Sequence, residues 1–131
     1  MENLSLENLI ATFKHDFDVI KTYKEANIRL KFIDNFFTLL GWDFKSNDVF
    51  LEDTVQISGK PKSPDYSFRI NDKRQFFVEA KKVTVNIKDD KDPAFQVRRY
   101  GYNGKLPLCI LTDFEEFAIY DTSIRPYKDE N

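Results

Sequence analysis

Apolar residues in the first forty positions follow a helical period. Leu6, Leu9, Ile10, Phe13, Phe17 and Ile20 recur at steps of three and four and mark one face of a helix. A second stripe, Ile28, Phe32, Phe36 and Leu40 with Ile33 and Phe37 beside it, predicts another. Its start is placed near Thr22, because Thr22 and Glu25 have capping-box spacing. Its stop is placed at Gly41, which adopts positive φ without a steric penalty.

The period then changes. Val49, Leu51, Val55 and Ile57 suggest extended chain, interrupted by acids and by a loop from Ser58 to Ser63. Tyr66, Phe68 and Ile70 alternate with Asp65, Ser67 and Arg69, and Phe76, Val78 and Ala80 alternate with Phe77, Glu79 and Lys81. With Asn71 to Arg74 as a polar turn, this predicts a β-hairpin. Burying the first set of each strand on one face requires Phe68 opposite Phe76. That register sets Asp65 opposite Glu79, with Lys81 next along the same face. It also calls for a three- or five-residue loop or a bulge rather than a flush four-residue turn. After the acidic run at Asp89, Asp92 and Pro93 read as an N-cap and a first helical proline, with the helix running to about Tyr102 and stopping near Gly104. Leu106 to Thr112 and Phe117 to Tyr120 read as two further strands. The order α-α-β-β-β-α-β-β predicts an α/β chain of the α+β kind, a mixed sheet flanked by helices. We read 1–131 as one domain, with a helical part over about 5–41, a sheet and core over about 49–121 and a polar tail over 122–131.

Composition narrows the classes. The 131 residues suit one domain, and 13 Phe and 6 Tyr argue against disorder. The single cysteine, Cys109, excludes an intramolecular disulfide and a thiolate zinc site, and its apolar neighbours place it in the core. Trp42 reads as a core anchor after the helix stop. His15 is the only histidine and has no second one to form a multi-histidine site. No apolar run approaches the ~20 residues of a membrane span. The N-terminus lacks a signal-peptide pattern, so a cytoplasmic location is expected. Net charge is −2, but twelve Lys and Arg face six acids between Lys60 and Lys105, a local basic field that suits a polyanion.

Asp65, Glu79 and Lys81 are the candidate chemistry. Mg²⁺ takes one or two carboxylates and completes its shell with water and substrate phosphate. Asp65 and Glu79 supply those oxygens, the Ala80 carbonyl offers a third, and Lys81 would orient the attacking water or stabilise charge on the phosphorus. Lys60 and Lys62, on the loop before Pro64, are in reach of phosphate.

Pro64-Asp65, thirteen residues, then Glu79-Ala80-Lys81 resembles the PD-(D/E)XK nuclease motif. The (D/E)xK element also occurs at Asp43-Phe44-Lys45 and Asp89-Asp90-Lys91, but neither ends a well-patterned strand. Glu25-Ala26-Asn27-Ile28-Arg29, continuing to Leu39-Leu40-Gly41-Trp42-Asp43, looks like the N-terminal nuclease region of type I restriction subunits and of fused restriction–modification enzymes. Gln96 and Tyr100 are similar to the QxxxY element of the RecB-like branch, and their four-residue spacing puts them on one helix face. The resemblance covers roughly Thr22 to Asp121.

The resemblance implies a restriction-endonuclease-like core of helix, three strands, helix and strands. It implies a magnesium-dependent DNA endonuclease, with manganese as a substitute. Asp65 and Glu79 would bind metal, Lys81 would be the catalytic lysine, Glu25 would bind or orient a second metal or water, and Gln96 and Tyr100 would position the lysine or the DNA backbone. Lys82, Arg98 and Arg99 would contact phosphate. Methyltransferase, translocase or target-recognition parts are expected on the same chain or on a partner, making the domain the N-terminal piece of a larger protein, with a dimer on DNA as a further expectation. A catalytically silent nuclease-fold module binding DNA or protein is the alternative. An RNA or branched-DNA nuclease shares the same motif.

Overall fold

The computed structural model describes residues 4–127. Four short helical segments come first: α1 (Leu6–His15), α2 (Phe17–Ile20), α3 (Glu25–Ile28) and α4 (Asp34–Leu39). A π-helical turn, Arg29–Ile33, joins α3 to α4. The predicted Thr22–Glu25 capping box does not form. The Thr22 hydroxyl turns back and donates to the Val19 carbonyl, and Lys24 occupies the cap position of α3 without a side-chain bond. Glu25, the first residue of α3, has its carboxylate directed elsewhere. The helix stop is as expected. Gly41 has φ of 107°, its N–H donates to Thr38 O, and the Trp42 N–H donates to Phe37 O, closing a Schellman motif.

Seven strands follow: β1 (Val49–Leu51), β2 (Val55–Ile57), β3 (Lys60–Lys62), β4 (Tyr66–Ile70), β5 (Lys73–Ala80), β6 (Leu108–Thr112) and β7 (Phe117–Asp121). The main sheet has the order β1-β4-β5-β6-β7, while β2, read as extended, pairs with β3 as a separate small hairpin, β3 falling inside the predicted loop. All neighbours in the main sheet are antiparallel except β5 and β6. That parallel pair requires a long crossover, and α5 (Lys91–Asn103) supplies it. The mixed sheet with flanking helices agrees with the sequence expectation, and the architecture is compatible with a restriction-endonuclease-like fold.

The β4–β5 register has Phe68 opposite Phe76 and Tyr66 opposite Val78, with the bulge falling between Phe68 and Arg69. Beyond the bulge Ile70 pairs with Lys73, so the turn is Asn71-Asp72, both with positive φ, the hairpin geometry that matches strand twist. The bulge also breaks the alternation: Ile70, predicted to lie with Tyr66 and Phe68, is exposed. Phe77 and Ser67, assigned to the polar side, are fully buried, because the sheet is covered on both faces. The N-terminal helices cover one face through Phe13, Ile28, Phe32 and Phe37 against Tyr66, Phe68, Val78 and Ala80. Helix α5 covers the other through Val97 and Tyr100 against Phe77, Cys109 and Leu111. Helix α5 begins two residues earlier than expected. Asp90 is its N-cap and accepts from the Asp92 N–H, while Pro93 falls in the first turn, where helical N–H groups have no intrahelical acceptor. Thr122, placed in the polar tail, is buried and donates to Leu106 O. Tail residues 128–131 lie outside the described residues.

Candidate active site

Pro64 is fully buried and lacks an N–H, and Asp65 follows it at the mouth of β4. Continuing the hairpin register by one residue brings Asp65 beside Glu79 near the end of β5. Backbone and side chain then interlock. The Asp65 N–H donates to Glu79 Oε1 at 2.9 Å, and the Ala80 N–H donates to Asp65 Oδ2 at 2.8 Å. Each carboxylate commits one oxygen to a main-chain donor and retains the other. Thirteen residues of hairpin thus end in one rigid pair of acids.

Glu79 is buried, and its carboxyl is pushed up to about 8, first by burial and then by the negative charge of Asp65. The Tyr100 phenol is also raised, by burial and by the charge of Glu79. The Lys81 N–H donates to Thr112 O at 2.9 Å, so the parallel strand β6 fixes the start of its side chain. Its Nζ stands 3.4 Å from Gln96 Oε1 and 3.8 Å from Glu25 Oε1. Gln96 in turn donates through Nε2 to the Tyr100 hydroxyl at 2.8 Å. The structure therefore brings Asp65, Glu79, Ala80, Lys81, Glu25, Gln96 and Tyr100 into one neighbourhood from α3, β4, β5 and α5.

A cleft of about 460 Å³ opens beside Lys81, walled by Gln96, Arg99 and Tyr100 of α5 and by Ile57 and Lys62 of the small hairpin. Of the predicted phosphate contacts, Lys62 and Arg99 reach this cleft. Lys60 is exposed on β3 opposite Ile57, and Lys82 is exposed directly after Lys81. Arg98 is not brought to the cleft. It is buried on another side of α5, where Nη2 donates to Tyr127 O at 2.7 Å. A larger apolar cleft, about 690 Å³, lies between α1, α4 and the β6–β7 turn, but its Phe13, Phe36, Phe114 and Phe117 walls offer no acid pair and no chemistry.

Sequence reasoning missed Arg29 as part of the site. Its Nη1 lies 3.5 Å from Asp65 Oδ1 and its Nη2 3.2 Å from the Asp65 carbonyl oxygen. Its guanidinium packs over the Tyr66 ring at 4.7 Å, and the Tyr66 hydroxyl donates to Asp34 at 2.5 Å. The available signal was its spacing, four residues after Glu25 and so on the same side of a helical turn.

Asp65 and Glu79 fit a hard divalent cation. They are two carboxylates, one of them buried and repelled by its neighbour, and each has one oxygen that no main-chain donor takes. Among the described residues no group of three or more His, Cys, Asp or Glu comes together to hold a metal. Two carboxylates are nonetheless enough for Mg²⁺, which keeps several waters.

A mixed sheet carrying two acids and a lysine at adjoining strand ends, with a glutamine–tyrosine pair from the crossover helix, is the arrangement that the PD-(D/E)XK resemblance calls for. The family comparison agrees: residues 49–128 match the model for the type I restriction enzyme R protein N terminus, and the chain belongs to this family of PD-(D/E)XK nucleases. It is also 39% identical over 130 residues to the type II restriction enzyme and methyltransferase RM.Eco57I of Escherichia coli, covering 90% of this chain and 13% of that protein. No solved structure matches it. The domain is thus related to the nucleases of restriction–modification systems. Among the described residues no helix is long and apolar enough to cross a membrane.

Proposed function

We propose that the domain is a magnesium-dependent DNA endonuclease of a restriction–modification system. The observation that carries this reading is the Asp65–Glu79 pair, locked by reciprocal main-chain hydrogen bonds and faced by Lys81. Asp65 and Glu79, with the Ala80 carbonyl, would hold the cation, which when bound supplies a more acidic water and neutralises phosphate charge. Manganese would substitute. Lys81, oriented by Gln96 and Glu25, directs its ammonium toward the attacking water and the charge developing on the phosphorus. Tyr100 fixes Gln96 and through it the lysine. Glu25 orients the lysine or a second ion or water. Lys62 and Arg99 line the route for the phosphate backbone, with Lys60 and Lys82 at its margins. Such contacts position DNA without reading its sequence.

Recognition would then come from other parts of a longer chain or from a partner. This is consistent with a relative whose name joins restriction and methyltransferase activities and of which this chain covers 13%. We take 1–131 as a single nuclease unit of such a protein. Cutting two strands would require a second copy on the DNA.

The test is calorimetric titration of Mn²⁺ into the wild-type domain and Glu79→Ala, with cleavage of supercoiled plasmid, single-stranded DNA and RNA alongside and EDTA as control. Metal binding and Mn²⁺-dependent plasmid nicking in the wild type, with nicking reduced about 10³-fold in the variant, is the expected result. Equal behaviour of two folded proteins would overturn the assignment and favour a silent module. Preference for RNA would change the substrate class.

A further inference from the structure

Arg29 has a role that the acid–acid–lysine motif does not assign. Two residues from one helical segment reach the strand ends with opposite charge: Glu25 goes to Lys81 and Arg29 goes to Asp65. The Arg29 and Asp65 side chains are each about one-fifth exposed, so their attraction is only partly screened. Asp65 does not need Arg29 for its orientation, because Oδ2 is already held by the Ala80 N–H. Arg29 instead meets Oδ1, the oxygen that the main chain leaves over, and at 3.5 Å the contact is long enough to yield. The guanidinium has anchors of its own, the Asp65 carbonyl and the Tyr66 ring, so it stays in place when Oδ1 is taken.

We propose that Arg29 tunes the metal site through Asp65: it is the resident counter-ion of the carboxylate and competes with the divalent cation for Oδ1. The proposal rests on the metal-site reading above. It follows from charge. Asp65, Glu79 and Glu25 bring three potential negative charges and Lys81 and Arg29 bring two positive ones, so removing Arg29 leaves the site more anionic and more attractive to a dication.

The test is Mn²⁺ titration into wild type, Arg29→Lys and Arg29→Gln, with thermal melts to establish folding. Gln keeps a donor for the Asp65 carbonyl while removing the charge. Arg29→Gln is expected to bind Mn²⁺ about tenfold more tightly than wild type, and Arg29→Lys, which keeps the charge but not the planar fork over Tyr66, to fall between the two. Arg29→Met serves as the second uncharged variant if Arg29→Gln does not fold. Equal or weaker Mn²⁺ binding by a folded uncharged variant overturns the proposal while leaving the metal site standing. Binding by Arg29→Lys as tight as that of Arg29→Gln would overturn the charge argument. Absence of Mn²⁺ binding by the wild type, with Glu79 intact, overturns this proposal and the metal-site reading together.

Discussion

On the face covered by the N-terminal helices, Phe68 meets Phe37 at 4.7 Å, Phe76 at 4.8 Å and Trp42 at 5.0 Å, ring against ring. On the face covered by α5, packing depends on small residues. Gly101 lies so close to Cys109 and Thr122 that a Cβ built on it would stand 2.5 Å from the Cys109 Sγ. The same face carries Glu79, Lys81, Gln96 and Tyr100 along one margin. The aromatic face supplies bulk apolar burial and holds the hairpin register. The α5 face brings a helix close enough for Gln96 to reach Lys81. A buried acid is tolerable on that face because the opposite one secures the strands that carry it.

Three substitutions separate the two faces, ordered by expected effect. Phe68→Ala removes the ring at the centre of the aromatic face and should cost about 4 kcal/mol in urea unfolding. A loss below about 1 kcal/mol would show that the register is held elsewhere. Gly101→Ala should cost about 2–3 kcal/mol by overpacking, and Cys109→Ala in the same chain should recover part of it. An additive double variant would mean that the backbone had moved instead.

Glu79→Gln should act in the opposite direction. The folded-state carboxyl, at about 8, lies above its ordinary 4.5, so the folded domain binds this proton more tightly than the unfolded chain does. The group's favourable contribution is complete below about 4.5, declines as pH rises toward about 8 and is flat above that. In EDTA, Glu79→Gln should therefore be more stable than wild type at pH 8.5, by on the order of 2 kcal/mol, and show no gain at pH 4.5. Melting curves at both values check this. A gain of equal size at both pH values would place its origin in packing rather than charge.

Much of this arrangement is legible in the sequence. Alternation about Phe68 and Phe76 was enough for the register and the meeting of Asp65 with Glu79, with a bulge among the alternatives to a flush turn, because a one-residue slip would mix the two faces. Four-residue spacing was enough for Gln96 with Tyr100. Other features depended on competition between near-equivalent groups. Asp90 and Asp92 can both cap a helix, and a proline, tolerated throughout the first turn, does not decide between them. Thr22 had a carbonyl three residues back as well as an amide three residues ahead. Phe77 read as outward-facing because strand alternation does not reveal that a distant helix will cover the second face. The Arg29–Asp65 contact spans 36 positions, so the spacing of Arg29 from Glu25 could mark its side of the helical turn but not its partner.

The π-helical turn between α3 and α4 makes the molecule unequally sensitive to two kinds of genetic change. The Asp34 N–H donates to Arg29 O, five residues back, so this turn holds one more residue than an α-turn would. Every single substitution in 29–33 preserves that count. Excising one residue would let the turn close as α-helix and rotate Glu25 relative to Phe37 by about 100°. With Phe37 kept in its aromatic seat, Glu25 would swing away from Lys81. A one-codon deletion series across this turn is thus a way to uncouple the strand-end chemistry from a nearly intact interior, because the number of residues here, and not only their identity, sets where Glu25 points.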